Sequence, residues 1–217
     1  MPRIALVSTS DTDLLSARAC GADYLHVNPA KVAHTEMADA FAAADLIVAR
    51  ILGSAKSLCS GFDRIRRTGQ PMVVLGGEQT PDASLMELST VPIGVAADAH
   101  VYLAQGGPEN LAQLHAFLSD TVLLTGVGFE PPVEQPVWGA LRDPAADGPR
   151  IGILFYRAQY TAGNTAYVDA LADAIYAAGG AAVPIFATSL RDAPADLIDF
   201  LGTLDALVTT VLAAGGT

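Results

Sequence analysis

Short apolar runs and amphipathic stretches alternate along the first third of the chain. Ile4–Val7, Tyr24–Val27, Leu46–Ile51 and Pro71–Leu75 are short, largely apolar runs that read as strands. Between them Leu14–Ala19, Ala30–Ala44 and Ala55–Thr68 read as helices. Val32, Met37, Ala40 and Phe41 form the inner face of the second, and Leu58, Phe62 and Ile65 that of the third. Gly21 and Gly69 stop helices, and Asn28-Pro29 ends the second strand. Strands and helices joined by short links predict a parallel, three-layer α/β sheet, flavodoxin-like in plan.

The pattern changes after the fourth strand. Gly76-Gly77-Glu78-Gln79 leaves the sheet, and Thr80-Pro81-Asp82 has the form of an N-cap, a first-turn proline and a dipole-favoured acid. From there to Leu124 the chain reads as helical, broken at Pro92-Ile93-Gly94 and Gly106-Gly107-Pro108. Phe129–Pro149 holds five of the thirteen prolines with little periodicity. The expected organisation is an α/β head domain with a helical extension over 1–130, a Pro-rich linker over 131–149, and the start of a second parallel-sheet α/β domain over 150–217.

That second region opens with a β-loop-α-β unit, Ile151–Phe186. Its first six residues are apolar, Asn164 is placed to cap the following helix, and Val168, Leu171, Ala172 and Ile175 repeat at helical spacing. Gly179-Gly180 ends that helix before the run Ala181–Phe186. Pro194–Leu201 then reads as a short helix, Ala206–Leu212 as an apolar strand and Ala213–Thr217 as a loop leaving it. A strand order of 2-1-3 would leave the last strand at an open edge, inviting pairing with another chain or poor order. The expectation is an incomplete sheet, and hence the N-terminal piece of a longer polypeptide.

Charge and composition narrow the function classes. A hydrophobic fraction of 51% suits a packed α/β protein, and a formal charge of −11 without a basic cluster argues against nucleic acid or an anionic membrane as partner. Cys20 and Cys59 stand in no metal-ligand or redox spacing and are read as free thiols. The N-terminus lacks the form of a signal peptide, and no apolar run reaches the ~20 residues that cross a bilayer. A cytoplasmic protein is expected.

The familiar nucleotide signatures are missing. Neither first strand is followed by G-x-G-x-x-G, no phosphate loop G-x-x-x-x-G-K-[ST] occurs, and Gly53–Ser57 is only its faint echo. The hydroxyl-rich loop Ser8–Asp13 would set Asp11 and Asp13 against a flavin phosphate, and Ala49-Arg50 stand where a phosphoacceptor aspartate would be. His26, His34, His100 and His115 are too scattered for a local metal site. The candidate substrate-binding residues are therefore Arg50 and Arg157, near the carboxyl ends of strands, with Tyr160, Asn164 and Thr165 beside the second. Each arginine either receives a ligand carboxylate or caps a loop or pairs with an acid. No catalytic residue or metal ligand is assigned.

Two blocks carry a family resemblance: VVLGGEQTPDASLMELSTVPIGVAADAHVYLAQGGPENLAQLHAFLSDTVLLTGVGFEPP, within Met72–Pro132, and FYRAQYTAGNTAYVDALADAIYAAGGAAVPIFATSLRDA, continuing to VTTVLAAGGT. They resemble the N-terminal part of the large subunit of aerobic cobaltochelatase, the CobN type. Tyr156-Arg157 followed by Gly163-Asn164-Thr165 also resembles the related magnesium chelatase large subunit. The resemblance implies a subunit that binds the corrinoid hydrogenobyrinic acid a,c-diamide and inserts Co²⁺ during aerobic cobalamin synthesis. It implies ATP, with Mg²⁺, on AAA+ ATPase and adaptor partner subunits, and no cofactor on this stretch. Arg157, Asn164 and Thr165 match the family motif, whether for ligand contact or for shaping the fold. Family members continue far beyond this length, so the stretch would serve substrate access or subunit docking and be inactive alone. The alternative is an independent, non-catalytic α/β module binding a small molecule or a protein.

Overall fold

The computed structural model describes residues 2–52, 69–142, 147–191 and 193–211. The chain divides into two compact units, Met1–Glu134 and Gln135–Thr217.

The first unit is organised on β1 (Ile4–Ser8), β2 (Tyr24–Val27), β3 (Leu46–Ile51) and β4 (Met72–Gly76). They pair in parallel in the order β2-β1-β3-β4, the flavodoxin-like arrangement that the alternation predicts. Because side chains alternate along a strand, one set of residues serves each face. Ile4, Leu6, Leu46, Val48, Val73 and Leu75 enter one apolar cluster, and Ala5, Val7, Ile47, Ala49, Met72 and Val74 the other.

Five helices of the described residues clothe this sheet: α1 (Asp11–Ala19), α2 (His34–Ala42), α3 (Ala83–Met86), α4 (Ile93–Gln105) and α5 (Gly107–Thr121). Leu14, Ala99, Leu103, Leu111 and Leu114, from α1, α4 and α5, pack on the first face, and Met37 and Phe41 of α2 with Leu85 of α3 on the second. Several starts differ from the sequence reading, each for a local polar reason. α1 begins at Asp11, since Asp11 and Asp13 suit the positive end of a helix dipole. α2 begins late because Asn28 holds a turn, its Oδ1 accepting from Ala30 N–H at 3.0 Å and its carbonyl from Lys31 N–H at 2.9 Å. Asp82, not Thr80, caps α3, its Oδ1 accepting from Ser84 N–H at 2.9 Å and Leu85 N–H at 3.2 Å. The helix expected over Ala55–Thr68, the Gly53–Ser57 echo, Cys59 and the residues from Leu212 onward lie outside the described residues.

In the second unit β5 (Trp138–Ala140), β6 (Arg150–Tyr156), β7 (Ala181–Ala187) and β8 (Ala206–Thr209) pair in the order β5-β7-β6-β8. β6 lies parallel to β7 and β8, giving the 2-1-3 core, whereas β5 runs antiparallel to β7. This extra strand falls inside the proline-rich stretch read as linker. Three residues are too few to show a period of two, so composition alone suggested irregular chain. β5 pairs with Ile185–Ala187, just past Pro184, which has no N–H to give a ladder.

Three helices complete the unit: α6 (Arg157–Thr161), α7 (Ala166–Ala177) and α8 (Ala195–Leu201). Ile153, Phe155, Ala182 and Phe186 pack with Val168 and Ala172 of α7, and Leu154, Val183, Ile185 and Ala187 with Leu197 of α8. The N-cap position of α7 is Thr165, one residue later than expected and with no side-chain capping bond, and Asn164 N–H instead closes the preceding turn on Gln159 O at 2.8 Å. Among the described residues β8 pairs only with β6, and all four of its residues are exposed, Leu207 by 42%.

Candidate functional site

Loops at the carboxyl ends of parallel strands are where open α/β sheets take ligands, and each unit has one such edge. In the first, the end of β1 and the start of α1 bring Ser8 and Asp13 together, and β3 adds Arg50. Ser8 Oγ donates to Asp13 Oδ2 at 2.7 Å and accepts from Ser10 N–H at 3.0 Å. Arg50 Nη1 donates to Asp13 Oδ1 at 2.6 Å and Nη2 to Gly77 O at 2.8 Å. The pair is almost closed off, with 11% of the arginine side chain and 9% of the aspartate exposed. His100, buried beneath this edge, has its Nε2 3.0 Å from Glu78 O. Burial lowers its pKa below the ordinary histidine value, and the Arg50 charge acts the same way. Arg50 thus ties the first turn of α1 and the loop after β4 to the end of β3.

The second edge gathers four of the five predicted residues. Arg157 follows β6 directly as the first residue of α6 and is buried, at 6% exposure. Its Nη1 lies 3.4 Å from Gln135 O. One turn on, Tyr160 stacks face to face on Phe186, with ring centroids 4.1 Å apart and planes 5° from parallel. Gly163 takes φ = +69°, a left-handed conformation open to glycine, and turns the chain into Asn164 and Thr165. Asn164 is exposed and Thr165 half-buried. Arg50 belongs to the other unit.

Three residues not singled out from the sequence complete this edge. Tyr167 Oη donates to Gln159 Oε1 at 2.6 Å and lies 3.2 Å from Thr210 Oγ1, which donates to Leu154 O at 3.1 Å. Each hydroxyl spends its one proton in those bonds, so the end of β8 is tied to β6 through Thr210, whose N–H also donates to Leu154 O at 2.9 Å. Thr210 was within reach of the rule that placed Arg157, because it too follows the carboxyl end of a strand. Gln159 and Tyr167 carry no such signal, since their partnership exists only once α6 and α7 are folded.

Among the described residues no three His, Cys, Asp or Glu side chains converge as a metal site, and no helix is long and apolar enough to cross a membrane. An open cavity of about 560 Å³ lies at the opposite, amino end of β4, lined by uncharged residues including Gln70, Thr90, Val95 and Val122. Its place and lining set it apart from the arginine-bearing edges.

The chain thus comprises a doubly wound α/β unit and a unit built on a mixed α/β sheet, each with polar side chains at its carboxyl edge. The family model described as CobN/Magnesium Chelatase matches residues 100–216, and the chain belongs to that family. It is 30% identical over 191 residues to the aerobic cobaltochelatase subunit CobN of a Sinorhizobium species, covering 76% of this chain and 14% of that protein. It is 28% identical over 155 residues to CobN of Pseudomonas aeruginosa, covering 64% of this chain and 12% of the relative. Among solved structures, the catalytic subunit of cobaltochelatase from Mycobacterium tuberculosis matches all of this chain at 51% identity, with a TM-score of 0.73, over 19% of that subunit. The chain thus spans less than a fifth of the length of each of these relatives.

Proposed function

We propose that this chain acts as part of a cobaltochelatase large subunit, and that the carboxyl edge of its second unit contacts the corrinoid. The reaction is ATP-dependent insertion of Co²⁺ into hydrogenobyrinic acid a,c-diamide in the cytoplasm. ATP and Mg²⁺ are held by AAA+ ATPase and adaptor partner subunits, and these residues alone catalyse nothing. The observation that supports the reading is the juxtaposition of a buried arginine, an exposed stacked tyrosine and an exposed asparagine on one loop after β6. Such a loop offers what a flat macrocycle with carboxylate arms requires: an apolar face, neutral hydrogen-bonding groups and positive potential beneath them. Asn164 and Thr165 are the direct polar contacts. Arg157, being buried, supplies its charge from under the loop. Arg50 is the weaker candidate, since Asp13 already takes its charge at 2.6 Å.

Titration of the chain with hydrogenobyrinic acid a,c-diamide, followed by corrin absorbance, is expected to give a saturable change that Arg157→Ala weakens about tenfold, the scale of one charge-assisted contact. Absence of any change at high micromolar corrinoid defeats the reading and leaves subunit docking as the role.

A further inference from the structure

We infer that Phe186 and Gly139 are positioning residues, which hold the Tyr160 ring as a stacking platform for a flat conjugated ligand at the second carboxyl edge. The inference rests on the corrinoid-contact reading of that edge and adds the part that the polar residues cannot supply, a fixed apolar plane.

The platform is layered. Phe186 lies in β7 with 3% exposure, one face against Tyr160 and its edge toward Phe155, whose centroid is 6.5 Å away at 66°. Across the ladder Phe186 pairs with Gly139 of β5. A Cβ built on Gly139 would fall 2.9 Å from Phe186 Cζ and 3.0 Å from Cε1, distances at which the ring has to move. The short antiparallel strand therefore has a specific use: it brings a residue with no side chain against a phenyl ring, which then lies flat. Tyr160 rests on that ring and keeps 37% of its surface exposed. Phe186 takes one face of the Tyr160 ring, which leaves the opposite face as the one a flat ligand would use. Arg157 stands three residues before Tyr160, one turn of α6 away and so on the same side of the helix. A conjugated ring laid on Tyr160 would have its peripheral carboxylates near Arg157, Asn164 and Thr165.

An aromatic held on one face by a second, buried aromatic gives up little side-chain freedom when a ligand stacks on it, so more of the contact energy appears as affinity. Phe186 touches no ligand here. It acts through the angle and height of Tyr160.

The test uses the 217-residue chain, hydrogenobyrinic acid a,c-diamide as probe, and two readouts: the dissociation constant from corrin absorbance, and the induced circular dichroism of the bound corrin. Tyr160→Ala is expected to weaken binding three- to tenfold, the scale of one aromatic stacking contact, and to abolish most of the induced signal. Tyr160→Phe, which keeps the ring, should recover affinity to within about threefold of the native chain. Phe186→Leu and Gly139→Ala should change the induced signal and weaken binding in the same direction as Tyr160→Ala, with thermal unfolding followed to show that each variant is folded. Should Phe186→Leu misfold, Gly139→Ala carries the test of positioning, and Tyr160→Ala, at a residue 37% exposed, that of the platform. Corrin binding weakened by Arg157→Ala but unmoved by Tyr160→Ala overturns the platform while leaving the edge as the binding site. No corrin binding by the native chain overturns both.

Discussion

In both units an arginine stands at the start of the first strand of the core, Arg3 just before β1 and Arg150 as the first residue of β6, and an aspartate precedes the third. Arg3 N–H donates to Asp45 Oδ2 and Asp45 N–H to Arg3 O, each at 2.8 Å. Arg150 N–H donates to Asp205 Oδ2 at 2.7 Å and Asp205 N–H to Arg150 O at 2.9 Å. The strands that follow run in the same register: Ile4 lies beside Leu46, and Ile151 beside Ala206. Four residues further on, the likeness ends. The first unit has Ser8 and Arg50 there, and the second has Phe155 and Thr210. One edge is filled by an ion pair of its own, and the other is tied by neutral hydroxyls and carries an exposed aromatic. A shared backbone device fixes how such a sheet begins, and a few residues at its far end set the chemistry of its edge.

The largest test of this contrast is Arg50→Ala. It strands Asp13 as a buried unpaired carboxylate, and breaking a pair this enclosed costs about 3–5 kcal/mol. Denaturant unfolding, followed by hydrogen exchange of the β1 and β4 amides, should show the loss in the first unit. The corresponding change in the second unit, Thr210→Val, removes a hydroxyl bonded to Leu154 O and should cost only about 0.5–1.5 kcal/mol. Trp138 is the sole tryptophan and lies in the second unit, so its fluorescence reports that unit by itself. Equal losses from the two substitutions would break the contrast.

A smaller effect tests the shared half of the comparison. Asp45→Ala and Asp205→Ala each remove a carboxylate that accepts a backbone N–H at the start of a central strand, at about 1.5–3 kcal/mol for a charged hydrogen bond, discounted toward 1 for exposure. The two losses should agree within error. If one aspartate is neutral to stability, the clamp is not a common device.

The smallest expected effect is a pH asymmetry. All four histidines lie in the first unit, and burial lowers the pKa of His26, His100 and His115. On acidification the unfolded chain takes up protons near pH 6.5, before the folded one does. Stability of the first unit should therefore fall as pH drops below about 6.5, and level off once the folded histidines have also titrated. His100→Gln should flatten part of that slope. The second unit, lacking histidine, should keep a Trp138-monitored transition that is flat over the same window, and a slope there would remove the distinction.

Much of the architecture was legible because burial imposes periodicity. Ile4–Val7 and Leu46–Ile51 read as strands since both faces are covered, and Val168, Leu171, Ala172 and Ile175 as one helical stripe. β5 was not legible. It is three residues long, and its middle residue, Gly139, faces the Phe186 ring on another strand, which would have to shift to admit a Cβ there. The candidate residues divide in the same way. Arg157, Asn164 and Thr165 follow from their place after a strand, whereas the pairing of Arg50 with Asp13 links residues 37 apart that nothing local connects.

By itself, then, the sequence determined the order of strands and helices and the family, because both are written in runs of neighbouring residues whose side chains share a solvent environment. Only the tertiary structure decided which carboxylate Arg50 meets, which aromatic ring Tyr160 stacks on and which proline-rich stretch joins a sheet. Those outcomes depend on side chains meeting within a few ångströms across long separations in sequence, where a difference of one atom, a Cβ on Gly139 or an oxygen on Asp13, settles the result.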